Sequence, residues 1–387
     1  MVYAVRQCDN KAHIIKINYL TIECILTASN FFHLNQSVID KNLQHTTSAS
    51  GFSVAPMLDW TDKHCRYFHR QLSNQAWLYS EMVTTGAIIY GNNLPRFLGH
   101  DDSDVPVVLQ LGGSNPEELA TCARLGEEWG YSEVNLNIGC PSDRVQNNMI
   151  GACLLGHPQT VAECVAAMKA VVEIPVTVKT RIGIDEQENF ETLREFIATL
   201  VKAGVDGVII HARKAWLKGL SPKENRDIPP LRYDWVHKLK AEFPALEIAI
   251  NGGISSHCQA VKHFSEYEGL PALDGVMLGR LVYEQPYLLS EVDRLYYGEL
   301  STPLTREQVM HNMLPYIDNH LVNGGKLIQV TRHMLGLFHG LPGGRIWRRH
   351  LSENAFKPTS GVEVIEQAYE MVASEIQRMA EREQEQL

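Results

Sequence analysis

Residues 133–142 read Glu-Val-Asn-Leu-Asn-Ile-Gly-Cys-Pro-Ser. A short run rich in apolar residues ends at Ile138, and Gly139 and Pro141 then turn the backbone on either side of Cys140. This pattern predicts a β-strand followed by a tight turn. Amphipathic helix patterns flank the strand at residues 116–130 and 159–172. A strand between two helices is the repeating unit of an α/β fold.

Similar strands recur along the chain, and helical patterns such as those at residues 190–202 and 235–243 separate most of them. Eight strand-then-helix units over about 230 residues fit a (β/α)8 TIM barrel. A doubly wound sheet, with fewer strands and a change of strand order, is an alternative that the pattern alone leaves open. The predicted strands cover residues 52–57, 77–82, 106–111, 133–138, 175–179, 207–211, 247–251 and 275–278.

The pattern changes after Gly298. Residues 305–387 show helical periods without strand alternation, for example at Val309, Met313 and Ile317. We therefore predict three parts: an N-terminal extension outside the core at residues 1–50, a barrel at 51–300 and a C-terminal all-helical domain at 301–387. The polar stretch at residues 35–50 is typical of a linker.

Composition limits the class of protein. The 387 residues are 44% hydrophobic and 21% charged, which excludes a mainly disordered chain. No apolar run reaches ~18 residues, so no membrane partner is expected. The eight cysteines are scattered without a C-x-x-C pair, which predicts no metal site and favours a cytoplasmic location. The formal net charge of −10, taken alone, argues against a nucleic-acid partner.

The ends of the predicted strands carry polar and small residues where a stable core would not need them. In a barrel, residues that follow the strands line the active face. Cys140 lies on such an end, and its thiol can donate or accept a proton or act as a nucleophile. Lys179 ends an apolar strand and needs a partner, which a phosphate or an electron-rich ring would provide. His211 ends another strand.

Each of these residues also has a purely structural interpretation. Cys140 could be a turn cysteine without a role, and His211 a satisfied core histidine. Lys179 could form a salt bridge to Glu81 or Asp206.

The last two strands end in Asn251-Gly252-Gly253 and Gly279-Arg280. Barrels commonly bind phosphate at these two positions, with loop amides and the start of a short helix. Arg280 adds a fixed cation that suits a phosphate dianion. The alternative is two tight turns with a surface arginine.

These motifs resemble those of the tRNA-dihydrouridine synthases over residues 52–385. The specific strings are Asn137-Ile-Gly-Cys140-Pro-Ser, Ala-Pro-Met57-Leu58-Asp59-Trp-Thr-Asp and Lys179-Thr-Arg, followed by His211-Ala-Arg-Lys-Ala-Trp-Leu-Lys-Gly-Leu-Ser-Pro-Lys223-Glu-Asn-Arg226. The first string is highly specific, whereas Asn-Gly-Gly occurs in many barrels. The Met-Leu-Asp-Trp variant resembles the A subfamily, and residues 1–50 lie outside the family pattern.

The resemblance implies an FMN-dependent enzyme that NADPH reduces. A hydride would pass from the reduced flavin to C6 of a uracil, and Cys140 would donate a proton to C5, giving 5,6-dihydrouridine. Met57, Leu58 and Asp59 would contact the flavin through their backbone. By this resemblance the remaining cofactor-binding residues are Gln110 and Lys179 at the ring, His211, and, around the phosphate, Asn251, Gly252, Gly253, Gly279 and Arg280.

The resemblance also implies a tRNA partner, with uridine 20 of the D-loop, and often 20a, as the target. A base stacked in folded tRNA must be extruded, at a cost of a few kcal/mol, which requires basic surface. Two basic stretches qualify, residues 213–232 and 326–357. The second contains Gly-Gly-Arg-Ile-Trp-Arg-Arg, whose alternative interpretation is a solvated helix face. The expected RNA contacts are Asn137, Lys223, Arg226, Arg345 and Arg348.

Two rival functions remain open from the sequence. One is an FMN barrel oxidoreductase that acts on a small molecule, although such a substrate needs no basic C-terminal domain. The other is a tRNA-binding protein with a catalytically silent barrel, against which Cys140, Lys179 and His211 argue. No protein partner is implied, and we expect a monomer.

Overall fold

The structure is a computed structural model that describes residues 2–8, 11–17, 47–142, 146 and 148–385. Val2–Cys8 and Lys11–Ile17 pair as an antiparallel hairpin. Eight further strands form the centre of the fold. They are β1 Gly51–Val54, β2 Trp77–Tyr79, β3 Val107–Gly112, β4 Glu133–Ile138, β5 Val176–Arg181, β6 Gly207–His211, β7 Glu247–Asn251 and β8 Gly275–Leu278.

These eight strands close into a parallel barrel. Each strand pairs in parallel with the next, and β8 pairs with β1 from Gly275↔Gly51 to Leu278↔Val54. A doubly wound sheet has two free edges, so the closing pair excludes it and confirms the predicted TIM barrel. A short strand at Val83–Thr84, which the sequence analysis did not predict, adds to the end of β3.

Helices surround the barrel and continue beyond it. Asn115 caps the helix at Pro116–Glu128 by accepting hydrogen bonds from Glu117 N and Glu118 N, as the Asn-Pro-Glu-Glu sequence predicts. The α-helices are α1 Lys63–Arg70, α2 Thr85–Tyr90, α3 Leu94–Leu98, α4 Pro116–Glu128, α5 Pro158–Lys169, α6 Phe190–Lys202, α7 Glu224–Asp227, α8 Tyr233–Glu242, α9 His257–Val261, α10 Arg280–Glu284, α11 Val292–Tyr297, α12 Arg306–Val322, α13 Leu327–Met334, α14 Gly344–Asn354 and α15 Glu363–Glu385. Short 3₁₀ segments lie at Asp102–Asp104, Gly151–Gly156, Lys262–Phe264 and Pro286–Glu291. Within the described residues, none of the helices combines the length and apolar character that crossing a bilayer requires.

Strand alternation divides the core into two parts. Val107, Leu109 and Leu111 face outward and belong to the large cluster between strands and helices. Val108 faces inward and belongs to a smaller cluster inside the barrel with Ile209 and others. Because side chains alternate along a strand, polar residues two apart on β4 and β5 also point into the barrel and lead toward its carboxyl-terminal end.

Residues just before the predicted boundary at residue 50 lie at the base of the barrel. Residues 47–50 are buried, and Ser48 fills the amino-terminal mouth. The carboxylate of Glu133 accepts hydrogen bonds of 2.6 Å from both Ser48 N and Ser48 Oγ. Burial raises the pKa of Glu133 to about 7, and these donors oppose that increase. Residues 47–50 are therefore packed into the core, while the boundary between extension and barrel stays a prediction. The rest of the predicted linker, residues 35–46, lies outside the described residues.

The C-terminal helices pack on α1. The ring of Tyr316 on α12 stacks on Tyr67 at 3.9 Å between centroids, and its hydroxyl bonds His64 Nδ1 at 2.7 Å. On α14, Trp347 is fully buried, and its Nε1 donates to the carbonyl of Met334 at the end of α13. The region after the barrel is helical, as predicted, while the division between residues 300 and 301 stays a prediction.

Candidate active site

Strand register brings the predicted site residues together at the carboxyl-terminal end of the barrel. Asn137 pairs with Lys179 between β4 and β5, and His211 pairs with Asn251 between β6 and β7. These side chains share the inward orientation that alternation gives to every second residue. The strand ends therefore form one continuous polar lining.

Cys140 lies on a turn that is held from two sides. Asn137 Oδ1 accepts hydrogen bonds from Gly139 N and Cys140 N, both at 3.0 Å. Arg181 Nε donates to the carbonyl of Gly139 at 2.9 Å. The thiol is half-buried, so it is both fixed in position and accessible to a ligand. This arrangement suits a proton donor whose position must be accurate.

A chain of buried amides supports that turn from inside the barrel. Asn137 Nδ2 donates to Gln110 Oε1 at 2.9 Å, Gln110 Nε2 donates to Asn135 Oδ1 at 2.8 Å, and Asn135 Nδ2 donates to Thr177 Oγ1 at 2.8 Å. Gln110, expected at the flavin ring, and Asn137, expected at the target nucleotide, thus bond each other here. The network orients both amides relative to Cys140.

Lys179 is a partly buried cation in this lining. Its Nζ donates to Asn251 Oδ1 at 3.3 Å. Burial, followed by the charge of Arg181, lowers the pKa of Lys179 to about 7, while Cys140 acts in the opposite direction. The alternative salt bridge to Glu81 or Asp206 is wrong. Asp206 instead pairs with Lys169 at 2.9 Å, and Glu81 accepts from Asp59 N at 2.5 Å.

His211 is buried without being satisfied. Its Nδ1 has no hydrogen-bond partner among the described residues. Burial, with the charges of Arg181, Lys179 and Arg213, lowers the pKa of His211 well below its ordinary value, so the ring is neutral. The interpretation as a satisfied core histidine therefore fails, and an unpaired polar atom remains at the site.

The turn after β7 approaches His211 closely. Gly252 has φ +107° and Gly253 has φ +72°. A Cβ at Gly252 would lie 3.1 Å from the His211 ring, and one at Gly253 would lie 2.5 Å from Leu231. Tyr233 Oη donates to the Gly252 carbonyl at 2.7 Å. Only glycine fits both the positive φ and the available space, and the backbone is left open to a ligand.

Cations gather where β6 and β8 end. Arg280 pairs with Asp227 at 2.8 Å and is partly exposed. Burial, with the charge of nearby Arg280, lowers the pKa of Arg226 below its ordinary value. Gly279 lies beside Ala55 and Met57, since a Cβ there would be 3.4 Å from each. The turn after β8 thus adjoins the turn after β1, where Leu58 is 68% exposed and Asp59 has φ +64°.

The other expected RNA contacts lie on the surface. Lys223 directly precedes α7 and Arg226 lies within it; both residues are exposed, although the Arg226 guanidinium is partly desolvated. Arg345 and Arg348 are exposed on α14, on either side of the buried Trp347. Trp347 thus fixes the helix face from which both arginines project.

Sequence reasoning missed Arg181, Asn135 and Asn225 as site residues. Arg181 Nη1 donates to the carbonyls of Lys214 at 2.9 Å and Asn225 at 3.0 Å, in addition to its bond to Gly139. One buried guanidinium therefore links the Cys140 turn to the loop after β6 and to α7. An arginine at the end of an apolar strand was the available signal, because a buried cation requires several acceptors.

The lining fits, on its own chemistry, a ligand that carries a polar ring and a phosphate. The unpaired His211 Nδ1 and the ammonium of Lys179 suit the polar edge of a ring or a ribityl chain. The open backbone at Gly252 and Gly253, with Arg280 nearby in the fold, suits a phosphate. Of these groups, the buried His211 Nδ1 lacks, within the described residues, the partner that a purely structural role would require.

Comparison with known proteins agrees with this chemistry. The family model described as Dihydrouridine synthase (Dus) matches residues 53–375. The tRNA-dihydrouridine(20/20a) synthase of Vibrio cholerae is 60% identical over 324 residues, which cover 83% of this chain and 96% of that protein. The protein of the same name from Shewanella oneidensis is 58% identical over 336 residues, which cover 87% and 96%. The one from Escherichia coli K12 is 56% identical over 323 residues, which cover 83% and 91%. This chain therefore belongs to the dihydrouridine synthase family of flavin-dependent oxidoreductases.

Proposed function

We propose that this chain is a tRNA-dihydrouridine synthase that reduces the C5–C6 double bond of D-loop uridines at position 20, and also at 20a. We further propose FMN as its flavin and NADPH as the reductant. The observation that carries the proposal is the rigid turn that presents the Cys140 thiol beside Lys179 and Arg181.

The flavin would be held by residues from six of the strand ends. Lys179 and Gln110 would bind the ring, and His211 would use its unpaired Nδ1. The backbone of Met57, Leu58 and Asp59 would lie against the ring. Asn251, Gly252, Gly253, Gly279 and Arg280 would hold the phosphate. Bound flavin would supply the hydride for C6 of the uracil, which no side chain can supply.

Cys140 would complete the reduction by moving one proton from its Sγ to C5. Lys179, Arg181 and Arg226 lie close enough to Cys140 to interact with it electrostatically. The hydrogen bonds from Gly139 N and Cys140 N to Asn137 keep the turn in place while the proton moves.

The helical region from residue 301 would bind the body of the tRNA. Arg345 and Arg348 are exposed cations on α14, the helix that Trp347 anchors, and contacts with phosphate require exposed cations. Asn137 and Arg226 would hold the extruded nucleotide, and Lys223 would be a further contact with the tRNA. The relatives named above support tRNA as the partner.

The test is a direct assay of the product. The purified, flavin-loaded chain is incubated with NADPH and an unmodified tRNA transcript, and nucleosides are then analysed by mass spectrometry. We expect dihydrouridine at positions 20 and 20a. A transcript with cytidine at both positions is the matched control and should yield none there. Flavin-loaded protein that oxidises NADPH but leaves every uridine intact would favour the small-molecule oxidoreductase, and colourless protein that binds tRNA would favour the silent barrel.

A further inference from the structure

Asp62 joins the turn after β1 to the helix that follows it. Its Oδ1 accepts hydrogen bonds from His64 N and Cys65 N, both at 3.0 Å, and thereby caps α1. The preceding turn is closed by Trp60 N and Thr61 N, which both donate to the carbonyl of Met57. Asp62 is thus fixed to the part of the barrel where the flavin is proposed to bind.

The second carboxylate oxygen of Asp62 reaches the C-terminal helices. Oδ2 accepts a hydrogen bond from the Arg332 guanidinium, and His333 Nε2 lies near both oxygens, 3.0 Å from Oδ1 and 3.2 Å from Oδ2. Both residues belong to α13, and the His333 side chain is fully buried. Burial opposes ionisation, but the hydrogen bond and charge of His333 dominate together with Cys65 N and Arg332. They hold the pKa of Asp62 well below its ordinary value.

Aromatic contacts extend the same junction to the turn after β8. The ring of Trp60 stacks on Tyr283 at 4.4 Å between centroids with an interplanar angle of 14°. The hydroxyl of Tyr283 bonds His333 Nδ1 at 3.1 Å. Tyr283 lies on α10, which begins at Arg280. The junction therefore touches two of the turns that are proposed to hold the flavin.

A short path leads from this junction to the cationic helix. Met334 ends α13, and its carbonyl accepts the hydrogen bond from Trp347 Nε1 at 2.9 Å. Trp347 sets the orientation of α14, from which Arg345 and Arg348 project. One carboxylate thus lies between the catalytic end of the barrel and the helix that is proposed to contact the tRNA backbone.

We propose that Asp62 is a positioning residue that aligns the bound tRNA with Cys140 by fixing α13, and through it α14, against the β1 turn. The proposal rests on the function proposed above. Asp62 touches neither substrate nor flavin in this role. It determines where the RNA-binding helices stand relative to the catalytic face, and hence whether the target uridine reaches the thiol.

The Asp62→Asn variant tests this role because it should keep the N-terminal cap of α1 while it weakens the contact between residue 62 and Arg332. Asparagine is as good an N-cap as aspartate, so α1 should be retained. Its amide nitrogen, however, places a donor against the guanidinium of Arg332, which in the wild-type chain donates to Asp62 Oδ2. A misplacement of ~1 Å can cost a factor of ~10² in rate, so we expect kcat for dihydrouridine formation to fall by ~10-fold or more. The Kd for tRNA should change by less than about 3-fold, because the cations that contact phosphate remain.

Two further measurements distinguish positioning from general damage. The rate at which NADPH bleaches the flavin should be unchanged in Asp62→Asn, and so should the thermal midpoint within a few degrees. Arg332→Gln should reproduce the loss of kcat from the more exposed side of the contact, where the side chain is 40% accessible. Arg332→Lys keeps the charge and should restore most of the rate. Combining Asp62→Asn with Arg332→Gln should lower kcat no further than either change alone, as expected for two partners in one contact.

A matched control breaks an ion pair whose two residues lie on the same helix, away from the contact between α13 and the β1 turn. Glu375→Gln removes the partner of Arg378 within α15 and should leave kcat unchanged. Wild-type kcat in both Asp62→Asn and Arg332→Gln would overturn the proposal while leaving the proposed function intact. Loss of NADPH-driven flavin bleaching in step with kcat would also overturn it, since Asp62 would then act on the flavin site itself. If the wild-type chain forms no dihydrouridine, the proposed function fails first.

Discussion

At the scale of single residues, the neighbours of Cys140 fix its position, whereas the reactive thiol is its own side chain. In Cys140→Ala the hydrogen bonds that Asn137 accepts and the one that Arg181 donates are retained, because they involve Gly139 and the main chain of residue 140. Flavin and tRNA binding should therefore survive. Dihydrouridine formation should fall by ~10²–10⁴, the usual contribution of a positioned acid. Nucleoside mass spectrometry measures the product, and flavin absorbance measures the cofactor content.

Cys153 offers a matched control for that variant. Cys153 is also half-buried and lies in the 3₁₀ segment Gly151–Gly156, but its thiol donates to the carbonyl of Ile150 at 3.3 Å. Cys153→Ala should keep full activity. Equal turnover in Cys140→Ala and Cys153→Ala would remove Cys140 from the role of acid.

Lys179 should make the flavin-free protein sensitive to pH. Its pKa is about 7 in the folded chain, against 10.5 for an ordinary lysine. Between these values the unfolded chain binds a proton that the folded chain releases, so the contribution of Lys179 to stability rises as the pH increases from about 7 to 10.5. Lys179→Met removes this group. It should stabilise the flavin-free protein by up to about 4 kcal/mol at pH 7 and by less at pH 10, while weakening FMN binding.

Urea denaturation of flavin-free protein at several pH values measures this effect, and fluorescence titration measures FMN affinity. A loss of stability in Lys179→Met that is equal at all pH values would contradict the role assigned to the cation. Unchanged FMN affinity would separate Lys179 from the cofactor.

At the scale of elements, periodicity alone predicted most of the barrel. Four strands, including β4 and β6, have the predicted bounds, and the other four differ by a few residues at their ends. Apolar alternation is a local property, so it can be read from the sequence. The two-residue strand at Val83–Thr84 and the short helix Leu94–Leu98 are too short to leave such a period.

The partners of the site residues could not be predicted in the same way. Arg181 contacts three carbonyls, one each in the Cys140 turn, the loop after β6 and α7, and the placement of these segments depends on the register between strands. Ser48 was assigned to a polar linker because Ser and Thr are common in linkers. Its burial depends on the hydrogen bonds to Glu133, which is 85 residues away in the chain. Position along a strand could be predicted, whereas long-range hydrogen bonds could not.

The helix α14 should contribute a defined part of the salt dependence of tRNA binding. Each lysine or arginine that neutralises a phosphate adds about one unit to the slope of log Kd against log salt concentration. Arg345→Ala with Arg348→Ala should therefore reduce the slope by about two and weaken binding at low salt. Filter binding or fluorescence anisotropy between low and high salt measures the slope.

Arg378→Ala with Arg382→Ala is the control, because it removes two exposed cations from α15 instead. This pair should leave the slope unchanged. An unaltered slope in the α14 variant would exclude Arg345 and Arg348 from contact with phosphate.

At the scale of the whole molecule, the net charge of −10 is the sum over surfaces that differ in the sign of their charge. Basic side chains lie on α14 and around α7, while α15 carries acidic ones. Interactions between exposed charges are largely screened beyond a Debye length of about 8 Å at physiological salt. The affinity of the basic face for tRNA should therefore depend on the local cations and hardly at all on the net charge of the chain.

Two variants that change the net charge by the same amount test this directly. Glu381→Gln with Glu385→Gln removes two negative charges from the far end of α15, and Arg345→Ala with Arg348→Ala removes two positive charges from α14. Residue 385 lies ~20 Å along the helix axis from Val372, the last fully buried apolar residue of α15, at ~1.5 Å per residue.

If total charge governed binding, the two variants would shift the Kd for tRNA by similar factors in opposite directions. We expect the glutamine variant to change Kd by less than about 2-fold at physiological salt, because its charges lie beyond the screening length. The arginine variant should weaken binding severalfold, because it removes contacts with phosphate. Tighter binding by the glutamine variant, equal in size to the loss in the arginine variant, would mean that the long-range field rather than a local contact surface attracts the tRNA.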